Sequence, residues 1–145
     1  MTKLLFVCHG NICRSPMAQS VMAHLVKERG RSDIFVDSAA TSAEELGNPV
    51  HPCTRRVLSA HGIPLIPHHA RQLRRRAGTE YDLLLGMDSA NLRNMARILG
   101  SSERIHGLLD WSSQPRDIAD PWYTGDFEVT FQDVLEGCQS LLDTL

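Results

Sequence analysis

The chain has 145 residues, of which 42% are hydrophobic and 22% charged, and its formal net charge is -2. This length suits one compact domain spanning residues 1–145. The small net charge gives no reason to expect a nucleic-acid partner, and no apolar run approaches the about 20 residues that a membrane span needs. Four cysteines match neither a disulfide framework nor a zinc motif, so we expect a reducing cytoplasm and no metal.

Short apolar runs alternate with helical patterns along the chain. The predicted strands are Lys3–Val7, Ile34–Val36, Tyr81–Gly86 and Arg104–His106. The first predicted helix follows Ser15 as its N-cap and ends at Gly30, and the later ones are Pro52–His61, Ser89–Leu99 and Phe127–Leu142. The stretches 63–79 and Leu109–Tyr123 are predicted to be loops. This alternation predicts a single α/β domain with a parallel sheet and helices on both faces.

The most informative segment lies between the first strand and the first helix. Cys8 and Arg14 stand six positions apart in the run CHGNICRS. A short loop that enters a helix N-terminus points several backbone N–H groups inward, which binds a tetrahedral dianion and stabilises a thiolate. Arg14 offers two parallel N–H donors to phosphoryl oxygens, and Ser15 can donate a hydrogen bond to the sulfur. A phosphate-ester hydrolase with Cys8 as nucleophile is therefore the leading interpretation.

Two further loop residues suit a tight anion-binding turn. Gly10 permits a positive φ or a close backbone approach, and Asn11 tolerates a left-handed backbone conformation. Ligands of parallel sheets bind at the carboxyl ends of the strands. Cys8 follows one strand and Ser38 follows the next, so we expect both at one site.

A phosphate ester also needs a proton for its leaving oxygen, and the segment from Asp117 to Tyr123 supplies candidates. We assign Asp120 as general acid, because the following proline stiffens the loop and keeps Asp120 out of helical geometry. Asp117 is the structural alternative, which only caps or anchors the loop. At least one of Trp122 and Tyr123 is predicted to form an aromatic wall. The alternative places one in the core and the other at the surface.

The remaining cysteines and one basic run have simpler interpretations. Cys13 is predicted to be a resolving thiol that captures an oxidised Cys8, with inert packing as the alternative. Cys53 and Cys138 are predicted to be small buried hydrophobic residues. The run Arg74–Arg76 is predicted to be a solvated face, and steering of a phosphopeptide is the alternative.

Together these motifs resemble the low-molecular-weight protein tyrosine phosphatases over nearly the whole chain. The resemblance rests on segments that occur in the family's order: Val7–Pro16, Asp37–Thr41, His61–Ile63, His69–Gln72, Met87–Asp88 and Asp120–Trp122. It implies a four-stranded, doubly wound parallel sheet of the phosphotyrosine phosphatase I type. It also implies a phosphocysteine intermediate, with no metal and no cofactor.

The resemblance further implies roles for individual residues. The phosphate would be bound by the loop residues His9, Gly10, Asn11, Ile12, Cys13 and Ser15. Ser38, Ser15 and Asn11 would form a hydrogen-bond network under the loop, and His68 and Asp88 would be a supporting pair. The implied substrate is a phosphotyrosine-containing protein or a small aryl phosphate, acted on by a monomer or weak dimer.

Three positions bear on the substrate. Glu44 occupies the place where the family commonly has an aromatic wall residue, and it would repel an acidic phosphopeptide. The family's Asp-Pro-Tyr is here Asp-Pro-Trp, with Trp122 as the third residue. Ile12 stands where related protein-arginine phosphatases typically carry Thr, which favours a tyrosyl or aryl phosphate.

Three other functions compete with this interpretation. A thiol-dependent arsenate reductase of this fold needs a cysteine pair in the loop after the third strand, and residues 82–100 contain no cysteine. A phosphocarrier should not accelerate attack by water, which Arg14 and Asp120 would do. A phosphate-binding protein without activity is disfavoured because Cys8, Arg14 and Asp120 are all present.

Overall fold

The computed structural model describes residues 1–145. Its strands are β1 (Thr2–Cys8), β2 (Ile34–Ala40), β3 (Leu83–Gly86) and β4 (Ile105–Gly107). Its α-helices are α1 (Arg14–Glu28), α2 (Pro52–Ala60), α3 (Ala77–Glu80), α4 (Ser89–Leu99), α5 (Pro121–Thr124) and α6 (Phe127–Leu142), and a 3₁₀ helix covers Leu108–Trp111. No helix is long and apolar enough to cross a membrane.

The four strands form one sheet in the order β2-β1-β3-β4, and every neighbouring pair is parallel. The predicted four-stranded parallel α/β fold is therefore confirmed. β1 is central, and its last residue, Cys8, pairs with Ala40 at the end of β2. The ends of β1 and β2 thus lie side by side at the carboxyl edge of the sheet.

Alternation along β1 builds a core on each face of the sheet. Leu4 and Phe6 pack in the larger core with residues of α1 and α6, whereas Leu5 and Val7 pack in the smaller core with residues of α4. This alternation follows from the period-two geometry of a strand. All four side chains have no solvent exposure, and burial of each stabilises the fold by roughly 1.5–3 kcal/mol. Both ends of the loop after β1 are thereby anchored in rigid elements.

The predicted helix ends are confirmed at three glycines. Gly30, Gly62 and Gly100 have φ values of 65°, 69° and 74°, which is the left-handed region that ends helices. The start of α1 was predicted wrongly. The helix begins at Arg14, and the preceding Cys13 makes no side-chain cap. Ser15 lies inside the first turn, where its hydroxyl contacts the Cys8 sulfur and does not cap the helix backbone.

Several short elements were also missed. β2 runs on to Ala40, so Ser38 lies in a strand and not in a loop, because it pairs with Phe6 of β1. α3 lies at the end of the stretch predicted as loop-rich, and the 3₁₀ helix and α5 lie in the stretch predicted as one long loop. Elements of about one turn are too short to produce a helical periodicity in the sequence.

The predictions that Cys53 and Cys138 are buried have different outcomes. Cys138 is fully buried, as predicted, whereas Cys53 is only half-buried. Cys53 lies in the first turn of α2, where its sulfur is 3.9 Å from Arg56 Nη1 at the surface.

The run Arg74–Arg76 is exposed, as predicted. Arg75 and Arg76 line a groove with Leu84 and Ile105 near the starts of β3 and β4, at the edge of the sheet opposite Cys8.

Candidate active site

The loop after β1 is held from outside by its carbonyl groups. The carbonyl oxygens of Cys8 and His9 accept hydrogen bonds from the N–H groups of Thr41 and Ser42 at 2.9 and 3.0 Å, and that of Ile12 accepts one from His51 at 2.8 Å. The backbone N–H groups of residues 9, 10, 12, 13 and 14 donate to no protein acceptor. With its carbonyls turned outward and these donors free at the start of α1, the loop has the character of an anion-binding nest.

The Cys8 sulfur lies buried at the base of this loop. The Ser15 hydroxyl oxygen is 3.0 Å from Cys8 Sγ, and the Asn11 backbone N–H donates to the same sulfur at 3.3 Å. Donors to sulfur stabilise a thiolate relative to a thiol. The Cys8 sulfur lies at the floor of a pocket whose walls come from three segments, residues 8–14, 44–45 and 120–123.

Asn11 is the central residue of the network under the loop. It is the one non-glycine residue with a positive φ, 60°, as the sequence suggested. Its side-chain amide donates to Ser15 Oγ at 2.7 Å and to Ser38 Oγ at 3.0 Å. Its side-chain oxygen accepts from His68 Nε2 at 2.7 Å and from the Arg71 backbone N–H at 3.1 Å. One buried side chain thus joins the loop to α1, to β2 and to the segment that follows α2.

The network continues through a residue that the sequence analysis missed. The Ser38 hydroxyl donates to Gln19 Oε1 at 2.6 Å, and both side chains are buried. Gln19 lies four residues after Ser15 on α1 and therefore on the same face of the helix. A polar residue at this spacing on the buried face of a helix was the signal that could have identified it.

Gly10 serves the loop by its small size. It does not have a positive φ. Instead, a Cβ at this position would lie 3.3 Å from Glu45 Cγ, so the side chain of Glu45 packs directly against the loop backbone. Of the two explanations offered by the sequence, close approach is the one that applies.

Arg14 is buried and held by three groups. Its Nη1 donates to Asp88 Oδ2 and to the Ile118 carbonyl oxygen, both at 2.8 Å, and its Nη2 is 3.4 Å from Asp120 Oδ2. Burial by itself lowers the pKa of Arg14, but the neighbouring Cys8, Asp88 and Asp120 outweigh it and the pKa is raised. The guanidinium is thus a permanent cation between the loop and the Asp120 segment.

His68 and Asp88 do not form the pair that the sequence predicted. His68 bonds Asn11, while Asp88 caps α4, accepting from the Asn91 N–H at 2.8 Å, and bonds Arg14 with its other carboxylate oxygen. The two residues support different parts of the site, one under the loop and one under the arginine. Burial lowers the pKa of His68, against the nearby Asp37, which raises it, and with the help of Arg71 and His69. The imidazole Nε2 donates to Asn11.

Asp120 and Asp117 have clearly different surroundings. Asp120 lines the pocket, and its Oδ1 accepts from the Trp122 N–H at 3.0 Å. Asp117 instead accepts from the Ser89 N–H and hydroxyl at 3.1 Å, at the start of α4. The geometry therefore favours Asp117 as an anchor and Asp120 as the carboxyl that faces the pocket.

The mouth of the pocket is aromatic on one side and acidic on the other. Trp122 and Tyr123 line it with 59% and 83% of their surfaces exposed, so neither packs in the core. Glu44 faces them, and its carboxylate is 3.0 Å from His9 Nε2. The expected aromatic wall residue is thus replaced by an exposed His9–Glu44 pair.

Cys13 is buried between the loop and α1. Burial, the neighbouring Cys8 and then Asp120 raise the pKa of the Cys13 thiol to about 12. This thiol is neutral at ordinary pH, which favours packing over a resolving role. The resolving role stays a prediction.

A buried cysteine at the end of β1, an arginine six residues later at the start of α1 and a carboxyl that lines the same pocket are the arrangement expected of a cysteine-dependent phosphatase. The family model described as low molecular weight phosphotyrosine protein phosphatase matches residues 3–145. The chain therefore belongs to that family, and the fold, family and enzyme class predicted from the sequence are confirmed.

Individual relatives agree with this assignment. The low molecular weight protein-tyrosine-phosphatase YfkJ of Bacillus subtilis is 36% identical, with the alignment covering 100% of this chain and 96% of that protein. PtpA of Staphylococcus aureus is also 36% identical, over 99% of this chain and 93% of that protein. The crystal structure of YfkJ superimposes with a TM-score of 0.94 over 99% of this chain and 94% of that one. The fold is shared by a Drosophila arginine phosphatase, at 27% identity and a TM-score of 0.92, over 99% of this chain and 97% of that one.

Proposed function

We propose that this protein hydrolyses tyrosyl and aryl phosphate monoesters through a phosphocysteine intermediate on Cys8. One observation carries the proposal: Cys8 Sγ lies under free backbone N–H groups and receives hydrogen bonds from Ser15 and Asn11, with Arg14 buried beside it. A nucleophile and a fixed set of donors for three phosphoryl oxygens are thereby combined in one loop.

In the first step the Cys8 thiolate attacks phosphorus while the bond to the leaving oxygen breaks. Asp120 gives its proton to that oxygen, so the product leaves as a neutral alcohol or phenol. The loop N–H groups and Arg14 bind the equatorial oxygens, whose charge is most widely spread in the transition state. No metal is required, because the buried cation and the loop dipoles perform the electrostatic work.

In the second step water attacks the phosphocysteine. Asp120, now ionised, takes a proton from that water, and the sulfur departs as a thiolate. The Ser15 hydroxyl and the Asn11 N–H stabilise this leaving sulfur at 3.0 and 3.3 Å. Inorganic phosphate is released, and Asp120 has its proton back for the next turnover.

The substrate class rests on residues around the mouth, because an arginine phosphatase shares the fold. Trp122 and Tyr123 offer exposed aromatic surface beside the pocket, which suits a phenyl ring attached to the phosphate. Ile12 lines the loop side of the same pocket without a hydroxyl. These features favour phosphotyrosine over phosphoarginine.

The four cysteines are free thiols, which supports our proposal that the protein works in a reducing cytoplasm.

The test is hydrolysis of p-nitrophenyl phosphate and a phosphotyrosine peptide in the presence of a chelator and a reductant, with phosphoserine and phosphoarginine peptides for comparison. Wild-type protein should turn over the two aryl phosphates, and Cys8→Ser should not. Activity that survives Cys8→Ser would contradict the nucleophile assignment, and preference for phosphoarginine would contradict the substrate class.

A further inference from the structure

The segment that carries Asp120 is tied down by side chains that the mechanism does not use. Residues 112–120 connect the 3₁₀ helix to α5 and contain no regular structure. Their centre is Arg116, whose Nη2 is 2.7 Å from Asp133 Oδ1 and whose Nη1 is 3.0 Å from Glu136 Oε2, both on α6. Arg116 makes a second contact with Glu136, from its Nη2 to Glu136 Oε1 at 3.1 Å.

Other residues of this segment are bound in the same cluster of hydrogen bonds. Its Nη1 also donates to the Gln114 carbonyl oxygen at 2.7 Å, and Glu136 accepts a further hydrogen bond from the Ser112 hydroxyl. The first half of the segment is therefore bound as a unit to α6. A single guanidinium supplies most of these bonds because its planar fork can serve two carboxylates at once.

The position of Arg116 in the chain gives the contact its significance. Its ion pair with Asp133 closes a ring of the residues between them, and Asp120 and α5 lie within that ring. Closing such a ring restricts the conformations open to the enclosed segment. The other side of the segment is held at Asp117 by Ser89, and at Ala119, whose carbonyl oxygen accepts from the Thr130 hydroxyl at 3.0 Å.

We infer that Arg116 is a positioning residue, whose paired contacts with α6 hold Asp120 where it can protonate the leaving oxygen. The inference rests on the proposed function, since it needs Asp120 as the general acid. Arg116 itself touches neither Cys8 nor Arg14. It can act on the site only through the segment it holds, which carries the Asp120 carboxyl and the Ile118 carbonyl that accepts from Arg14. An effect through Asp120 will depend on the leaving group, whereas an effect through Arg14 will not, and that dependence can be measured.

The experiment compares kcat/KM for phenyl phosphate, which has a poor leaving group, with that for p-nitrophenyl phosphate, which has a good one. Arg116→Gln should lower the phenyl phosphate value roughly 5- to 20-fold, a part of the roughly 10²–10⁴-fold that an acid contributes. The nitrophenyl value should stay within about twofold. Arg116→Lys keeps the charge but loses the fork, and should recover part of the loss.

A double-mutant cycle tests whether the effect of Arg116 depends on Asp120. In an Asp120→Asn background, Arg116→Gln should cause no further loss, because the group it positions is already gone. Arg29→Gln is the matched control. It removes another arginine that pairs with an aspartate at the end of α6, Asp143 at 2.7 Å, and that makes no side-chain hydrogen bond or ion pair with residues 112–120. It should leave both values unchanged.

The outcomes separate the two claims. Equal losses for both substrates in Arg116→Gln, or the same loss in the presence and absence of Asp120, would overturn the inference and leave the proposed function in place. An Asp120→Asn variant that loses no more activity on phenyl phosphate than on the nitrophenyl ester would overturn the acid assignment and the inference with it.

Discussion

The Ser15 hydroxyl oxygen lies 3.0 Å from the Cys8 sulfur and 2.7 Å from the Asn11 side-chain nitrogen. The amide nitrogen can only donate, so the hydroxyl accepts from Asn11, and toward a Cys8 thiolate, which can only accept, the hydroxyl is the donor. The hydrogen-bond direction at Ser38 is also defined, because its hydroxyl accepts from the Asn11 amide and donates to the Gln19 side-chain oxygen. The network under the loop thus has a defined direction that ends at the nucleophile.

Ser15→Ala should slow the second chemical step more than the first. A hydrogen bond to a charged group contributes about 1.5–3 kcal/mol, so we expect kcat to fall roughly 10- to 100-fold, with a smaller change in kcat/KM. Rapid-mixing experiments with p-nitrophenyl phosphate should then show a burst of nitrophenol before the slow steady state. Ser20→Ala is the matched control, because Ser20 is a buried serine of α1 that bonds the Ile66 N–H instead. A loss in kcat/KM as large as that in kcat would contradict this role.

Stability should depend on pH through His68. Burial lowers the pKa of His68 below its ordinary value of 6.5, so in the window between the two values the unfolded chain binds more protons than the folded one. The free energy of unfolding should therefore fall as pH drops below about 6.5, and level off beneath the lower pKa. Urea unfolding at several pH values would measure it. The fall should be smaller in His68→Gln, and an identical fall in both proteins would contradict the assignment.

Charge at the mouth should influence which peptides are hydrolysed. Glu44 is exposed opposite Trp122 and Tyr123, so Glu44→Gln should raise kcat/KM for phosphotyrosine peptides with acidic neighbours by roughly two- to fivefold, the size of an exposed charge interaction. The nitrophenyl ester should be unaffected. Glu103→Gln makes the same charge change at the opposite edge of the sheet and should have no effect. A gain with Glu103→Gln equal to that with Glu44→Gln would attribute the result to net charge alone.

The cysteines should differ in reactivity. The pKa of the buried Cys13 thiol is about 12, and burial likewise raises the pKa of Cys138, so near neutral pH both should be alkylated by iodoacetamide far more slowly than the half-exposed Cys53. Peptide mass spectrometry over a time course would measure this. Labelling of Cys13 as fast as Cys53 would show that its thiolate is accessible, and would support the resolving role instead.

Local patterns were sufficient to predict the four strands, the four longer helices and the loop after β1. The apolar run before Cys8, the proline after Ser15 and the glycines at 30, 62 and 100 each act on the backbone within a few residues of themselves. Asp120 could be identified in the same way from the proline that follows it. These features required no knowledge of what packs against them.

Apart from the Asn11–Ser38 contact that the family resemblance implied, contacts between distant segments could not be predicted. Asn11 bonds His68, Arg116 bonds Glu136, and Asp88 bonds Arg14, each across at least 20 positions. The sequence offers many polar residues that could fill such places, and only the packing of the folded chain selects among them. For the same reason the sequence did not show that the expected supporting residues, His68 and Asp88, lie under different parts of the site.

The covalent intermediate on Cys8 provides the most direct test of the mechanism. Asp120→Asn protein, which should hydrolyse the intermediate slowly, can be mixed with p-nitrophenyl phosphate, quenched in acid within milliseconds to seconds and analysed by intact and peptide mass spectrometry. We predict one added phosphoryl group, located on the peptide that contains Cys8 and absent when Cys8 is also changed to Ser. Turnover without any phosphorylated Cys8 peptide, or a phosphoryl group on another residue, would contradict the phosphocysteine mechanism.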